Sequence, residues 1–318
     1  MNKNITPTVE GGLLTAIAVI LGLAATYLPV VGVVVEFFCP APFAVLTVRR
    51  GIKIGTAALF VSFILLSLFV TPLGAVRIAL TLNLCGVVLG YCISKNFSTV
   101  KSFLATFISA AVSQMLFVIF LAAIMDINFA DMELDTLKEA FEESFKFYET
   151  VGLSSAEINQ MREQISKTVE LIAYLIPLIL TLIALINAVA CYLTSKWIFK
   201  KLQINFLAEL PKFAEWRFPK IFLYIASFAI LGMYWGGTRD WNLLFTTSLN
   251  LTILSLGVGL VQGYSLLSFL ADRYELSKFW RRVFYIMILL NGLLTQILAF
   301  AGLFDMIFDY RKKLSDKD

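Results

Sequence analysis

Residues 11–48 read GGLLTAIAVILGLAATYLPVVGVVVEFFCPAPFAVLTV. These 38 residues hold a single charge, Glu36. A helix needs about 20 apolar residues to cross a hydrocarbon layer roughly 30 Å thick, so the stretch has length for two crossings. Pro29 stands near its middle and marks the turn between them. Such a run must be enclosed by protein in water, but in a bilayer it can face lipid.

The same pattern continues along the chain. Nine segments qualify: Gly11–Leu28, Val30–Val48, Ile54–Val70, Leu73–Ile93, Phe103–Met125, Thr168–Trp197, Ile221–Trp235, Asn242–Leu270 and Val283–Met306. The totals agree, with 59% hydrophobic residues, 15% charged residues and a mean hydropathy of +0.83. A soluble domain carries about 25% charged residues, so this chain has too few to cover a water-facing surface. Trp197, Trp216, Trp235, Trp241 and Trp280 all fall at or just beyond span ends, where an indole is half in lipid and half in water. The expectation is an all-α, polytopic transmembrane helix bundle of about nine spans, or eight if the last segment is re-entrant. Before the first span only Lys3 is basic, opposed by Glu10, and the apolar run passes any cleavage point. It reads as a retained helix rather than a signal peptide.

The expected organisation is a six-helix membrane module at 1–199, a basic interfacial linker at 200–220 and a three-helix module at 221–318. Basic residues cluster at Arg49–Lys53, Lys95–Lys101, Lys196–Lys220 and Arg273–Arg282. Between Asp126 and Glu170, eleven acidic residues face four basic ones. Basic residues resist translocation, so the expected location is the cell membrane, multi-pass, with the N-terminus cytoplasmic. Residues 126–167 read as an extracytoplasmic, acidic helical hairpin. Leu134, Leu137, Phe141, Phe145 and Tyr148 form one stripe; Ser154 and Glu157 fit a capping box opening the second helix. The hairpin serves either as a solvated connector or as a lid or cation-collecting surface. The 200–220 segment, with Phe206, Phe213 and Trp216 between its charges, suits an anionic lipid surface. No nucleic-acid-binding motif accompanies it.

An ionisable residue inside a span marks a functional site by default. Glu36 and Arg77 lie about 6–9 Å below the outer interface at 1.5 Å per residue, at similar depth and opposite in charge. They form either a register-fixing salt bridge or the lining of a polar pocket that opens outward onto a small solute. Asn83, nearly two turns deeper, could line the same cavity. Gln114, Asn187, Asn250, Gln262, Asn291 and Gln296 are expected to hydrogen-bond between helices. The four cysteines, all in apolar stretches, read as small buried hydrophobes. The chain has no histidine, no phosphate-binding loop and no nucleophile motif. The expectation is therefore no enzyme, no metal and no cofactor. The first reading is a solute-binding or transport component, powered by a membrane protein partner or a gradient. The second is a membrane scaffold or regulatory protein that docks through the acidic hairpin and the basic segment.

The opening EGGLLTAIAVIL at Glu10–Leu21 and the run PAPFAVLTVRRG at Pro40–Gly51 resemble the uncharacterised YybS-like membrane proteins of Gram-positive bacteria. That resemblance implies a multi-pass membrane protein and carries no activity with it. Residues 11–197 are also distantly similar to the substrate-binding components of energy-coupling-factor transporters. This similarity implies a pocket near the outer face, where Glu36 and Arg77 lie, and a helix-docking face at Ala16, Ala18 and Gly22. The very short link after span one, and the three spans beyond the sixth, depart from that pattern.

Overall fold

A computed structural model describes residues 7–125, 141–148, 154–204 and 211–315. Among them there are helices and turns and no strand. Among the described residues eight helices are long and apolar enough to cross a membrane, or nine if one bent pair is counted as a span. The chain divides into two compact units: 1–163 with 179–210, and 164–178 with 211–318.

Unit 1 opens with α1 (Pro7–Tyr27). The second span is α2 (Val31–Glu36) and α3 (Ala41–Arg50), and α4 (Ile52–Phe69) follows. The fourth span is α5 (Pro72–Arg77), a π-helical turn at Ile78–Asn83 and α6 (Leu84–Ser94). Then come α7 (Thr99–Met125), a short helix α8 at 141–148, and α9 (Ser155–Lys201), which runs through both units. The turn at Pro29 is real: Val31 N–H reaches the Pro29 carbonyl at 2.6 Å, and Val30 takes a φ of 61°.

Spans two and four are the most enclosed. Phe43, Ala44 and Leu46 of α3 and Val87 and Leu89 of α6 are almost fully buried. By contrast Phe60, Leu68, Ile108 and Ile119, on α4 and α7, present large apolar side chains outward. A water-soluble protein rarely exposes such continuous apolar surface; here it faces lipid. Glycine sets the distance between spans two and four. A Cβ on Gly86 would lie 1.9 Å from the Pro40 carbonyl oxygen, and one on Gly90 would lie 2.6 Å from that of Ala44.

At one end of unit 1, Glu10 accepts from Arg49 Nη1 at 2.8 Å and Arg50 Nε at 2.6 Å. Glu10 is buried, so it ties the start of α1 to the end of α3 rather than merely offsetting Lys3. The proposed capping box is present: Glu157 N–H reaches Ser154 Oγ at 3.4 Å and Ser154 N–H reaches Glu157 Oε2 at 3.0 Å. Phe145 of the expected apolar stripe and Ile158 of α9 are buried, and Arg162 grips Glu142 at 2.8 Å from both Nε and Nη2. That contact holds the Glu142 carboxyl below the usual carboxylate range. The rest of the hairpin, including Asp131, Leu134, Leu137 and Gly152, lies outside the described residues.

Unit 2 contains α10 (Ile221–Thr238), α11 (Asn242–Arg273), α12 (Lys278–Leu290), α13 (Gly292–Phe308) and α14 (Tyr310–Ser315). Gly232 and Gly236 let α10 and α11 pack as a tight antiparallel hairpin against Ser248 and Phe245. Within this unit Asn250 braces a turn of α9 that holds a proline. Pro177 stands inside α9 and disturbs its hydrogen-bond ladder. Asn250 Oδ1 accepts from Leu178 N–H at 2.9 Å, and its Nδ2 donates to the Tyr174 carbonyl at 2.6 Å. One amide thus reaches both a backbone donor and a backbone acceptor of the turn that holds the proline. Asn250→Leu is expected to lower stability by about 2–4 kcal/mol, because two backbone groups lose partners where no water replaces them. Reversible unfolding in detergent measures this, and a loss under about 0.5 kcal/mol would contradict it.

The expected last span, Val283–Met306, is not one helix. α12 and α13 meet at 105°. Asn291 is extended (φ −111°, ψ 107°), and its side chain caps α13 by accepting from Leu294 N–H at 3.1 Å. Asn291 therefore starts a helix instead of bridging two; the Asn–Gly dipeptide at 291–292 is the turn signal. The C-terminal residues return to the end of unit 2 that carries Pro211–Lys220. Arg217 Nη1 reaches Asp309 Oδ2 at 2.8 Å, and Arg311 donates to the Ala214 carbonyl. α12 starts at that same end, where Arg281 pairs with Asp272 at 2.7 Å. Among the described residues unit 2 gathers Lys212, Arg217, Lys220, Arg273, Arg281 and Arg311 at one end. Within Pro211–Lys220 the 3-10 turn at Phe213–Glu215 is held by Ser265 Oγ, which donates to the Phe213 carbonyl at 2.6 Å.

Candidate functional site

Span two breaks for a reason visible in PAP at 40–42. A proline lacks the N–H that would bond four residues back, and its ring crowds that carbonyl. Pro40 and Pro42 thereby release the Glu36 and Phe38 carbonyls from helical bonding. Turn contacts take them over: Cys39 N–H reaches Glu36 O and Ala41 N–H reaches Phe38 O, each at 3.1 Å. Thr194 Oγ1 of α9 donates to the Phe37 carbonyl at 3.1 Å, and Trp197 meets Phe38 edge-on at 6.3 Å. The broken turn is thus fixed by its neighbours and free of orphaned carbonyls at these positions.

Glu36 ends α2 and Arg77 ends α5, just before the π turn. Arg77 Nη1 donates to Glu36 Oε1 at 2.7 Å. The pair is only partly enclosed, with 41% of the Arg77 side chain and 22% of the Glu36 side chain exposed. A single turn with i→i+5 bonding inside an α-helix displaces the residues beyond it, and such turns recur at functional sites. Thr81 Oγ1 returns a hydrogen bond to the Arg77 carbonyl at 2.7 Å, within this turn.

Asn83 closes the π turn and is fully buried. Neither its Oδ1 nor its Nδ2 has a hydrogen-bond partner among the described residues. Asn83 stands where the π turn passes into α6, three residues before Gly86, the point at which span four meets Pro40 of span two. An amide buried without partners costs on the order of 1–3 kcal/mol per group. This side chain, deeper along span four than the ion pair, holds unspent hydrogen-bonding capacity.

The small residues of α1 divide between two faces. Ala18 is fully buried against Phe43 and Leu46, and a Cβ on Gly22 would lie 2.9 Å from Leu66 Cδ2. Both pack inward within unit 1, whereas Ala16 is exposed. Cys39, Cys85, Cys92 and Cys191 are buried and free of disulfides. No cluster of three or more metal-ligating side chains occurs among the described residues.

Comparison with known proteins agrees with this architecture. The family described as a predicted membrane protein (DUF2232) matches residues 16–306. The chain is 24% identical to the uncharacterized protein YybS of Bacillus subtilis (strain 168), over 96% of this chain and 97% of that protein. No solved structure matches.

Proposed function

The chain belongs to the DUF2232 family of predicted membrane proteins, and from that premise we propose that unit 1 is a solute-binding or transport module. In this reading the protein sits in the cell membrane with its N-terminus in the cytoplasm. Arg49, Arg50 and Lys53 lie at the same end of unit 1 as Glu10, and basic residues resist translocation. The end bearing Glu36 and Arg77 then opens to the outside.

One observation carries the proposal: a charged pair stands where span two is broken and span four takes a π turn, with Asn83, unpartnered among the described residues, deeper along span four. Discontinuous helices that present charge and backbone dipoles are a recurring way to hold small polar solutes within a membrane. The module is read as non-enzymatic, so energy would come from a partner protein or a gradient.

Thermal stabilisation of the purified chain by a panel of small polar solutes tests this. A solute that stabilises the wild type is expected to lose tenfold or more in apparent affinity with Glu36→Gln and with Arg77→Met, roughly one charge-assisted contact each. If each single variant is destabilised, the pair Glu36→Gln with Arg77→Met restores the melting temperature and no solute binds, the ion pair serves helix register alone. A scaffold would instead tolerate both variants and lose a co-purifying partner when residues 131–166 are deleted.

A further inference from the structure

A cavity of about 260 Å³ opens in unit 2 among Arg217, Phe218, Lys220, Gln262, Asp305 and Asp309. Its hydrogen-bonding inventory is one-sided. Asp305 Oδ1 holds Tyr310 N–H at 3.1 Å, and its Oδ2 holds Gln262 Nε2 at 2.6 Å. Gln262 Oε1 accepts from Phe218 N–H at 3.1 Å. Asp309 Oδ2 takes Arg217 Nη1 at 2.8 Å, and its Oδ1 takes Lys312 N–H at 3.3 Å. Every carboxylate or amide oxygen facing the cavity already has a donor. The donors are not used up. Arg217 engages one of its five N–H groups, and Lys220, exposed, forms no ion pair among the described residues. A ligand that completes this inventory must bring acceptors and negative charge.

We propose that this cavity binds a phosphate oxyanion, supplied by the headgroup of an anionic phospholipid. Three features favour a lipid source. The cavity lies where α10 begins and α13 ends, at the polar limit of two apolar helices. Trp216 is beside it, stacked edge-on with Phe213 at 5.3 Å, as an interfacial indole is. Arg273, Arg281 and Arg311 gather at the same end, and basic pockets between helices recognise anionic headgroups by this means. Binding there would clamp Pro211–Lys220 onto α11 and α13, so lipid composition would set the stability of unit 2.

The test is thermal unfolding of the full chain in detergent, with added dioleoylphosphatidylglycerol, dioleoylphosphatidylcholine, or inorganic phosphate at matched ionic strength. Phosphatidylglycerol is expected to raise the melting temperature well above phosphatidylcholine. Lys220→Gln should weaken that effect roughly tenfold in half-maximal lipid concentration, and Lys220→Arg should retain it. Lys212→Gln, which removes an equal charge outside the cavity, should change it by less than about twofold. Native mass spectrometry of retained lipid gives a readout independent of folding. Equal effects of the two lipids, or equal losses at Lys212 and Lys220, would overturn the site. Stabilisation by inorganic phosphate at concentrations matching the lipid would keep the oxyanion chemistry and overturn the lipid source.

Discussion

Arg311→Met is expected to lower the unfolding free energy by about 3–5 kcal/mol, the range for a buried ion pair that loses one member. Only 3% of the Arg311 side chain and 2% of that of Asp305 is exposed. The Arg311 Nε lies 3.3 Å from Asp305 Oδ2, an ion-pair separation without hydrogen-bond alignment. Its other nitrogens hold the Ala214 carbonyl and, at 3.1 Å, Ser265 Oγ. Burial pushes the guanidinium below the usual arginine range, and Asp305 opposes that push. Removing the cation leaves an uncompensated carboxylate and also releases the turn at Phe213–Glu215. Asp305→Asn should cost less, because an amide oxygen can still accept from Tyr310 N–H. The double variant should recover part of the single Arg311→Met loss, with a coupling of roughly 1–3 kcal/mol. Denaturant titration in detergent reads all three, and hydrogen exchange at Phe218 reports whether the turn has loosened. A loss below about 0.5 kcal/mol for Arg311→Met would mean that the pair is hydrated.

That pair also marks the limit of what the residues alone convey. Hydropathy depends on composition over some 20 residues, so eight of the nine expected spans and the apolar outer surface were legible, whereas the enclosed character of spans two and four was not. Glu36 and Arg77 were legible as a pair because each is the lone charge in its span and the depths match. Ion pairs at span ends were not. Glu10 read as a counterweight to Lys3, and Asp305 was not singled out, because neither is isolated. Their partners, Arg49, Arg50 and Arg311, are fixed by which helices become neighbours. Asn250 was recognised as a bridging amide, but its role at Pro177 depends on two turns 70 residues apart meeting. The 105° break was written locally in Asn291–Gly292 and was outweighed by the apolar residues on either side. The two prolines at 40 and 42 were likewise quoted without the broken helix they impose. A hydropathy window averages over residues of this kind, whereas the backbone responds to each one.

Gly86→Leu is expected to prevent accumulation of folded protein, and Gly86→Ala to destabilise by about 2–3 kcal/mol, at the upper end of overpacking costs. Most tight contacts in a core relax because a side chain rotates away. Here the nearest atoms are the Pro40 carbonyl oxygen at 1.9 Å, its carbon at 2.8 Å and Cα at 3.1 Å from the added Cβ. They belong to a proline-anchored turn held by Thr194 and Trp197, so the strain falls on the whole break. Gly12→Ala is the control. Nothing lies within 4 Å of its added Cβ, and alanine gains up to about 1 kcal/mol over glycine in a helix. Detergent-solubilised yield and melting temperature should therefore fall for Gly86→Ala and hold or rise for Gly12→Ala. Equal behaviour of the two would show that spans two and four do not approach through Gly86. The contact also joins stability to the candidate site. Glu36 lies four residues before Pro40, and Arg77 is separated from Gly86 by the π turn. A displacement at Gly86 must be absorbed between those points, so Gly86→Ala should loosen the Glu36–Arg77 pair. The variant's double-mutant coupling between Glu36 and Arg77 should then be smaller than that of the wild type.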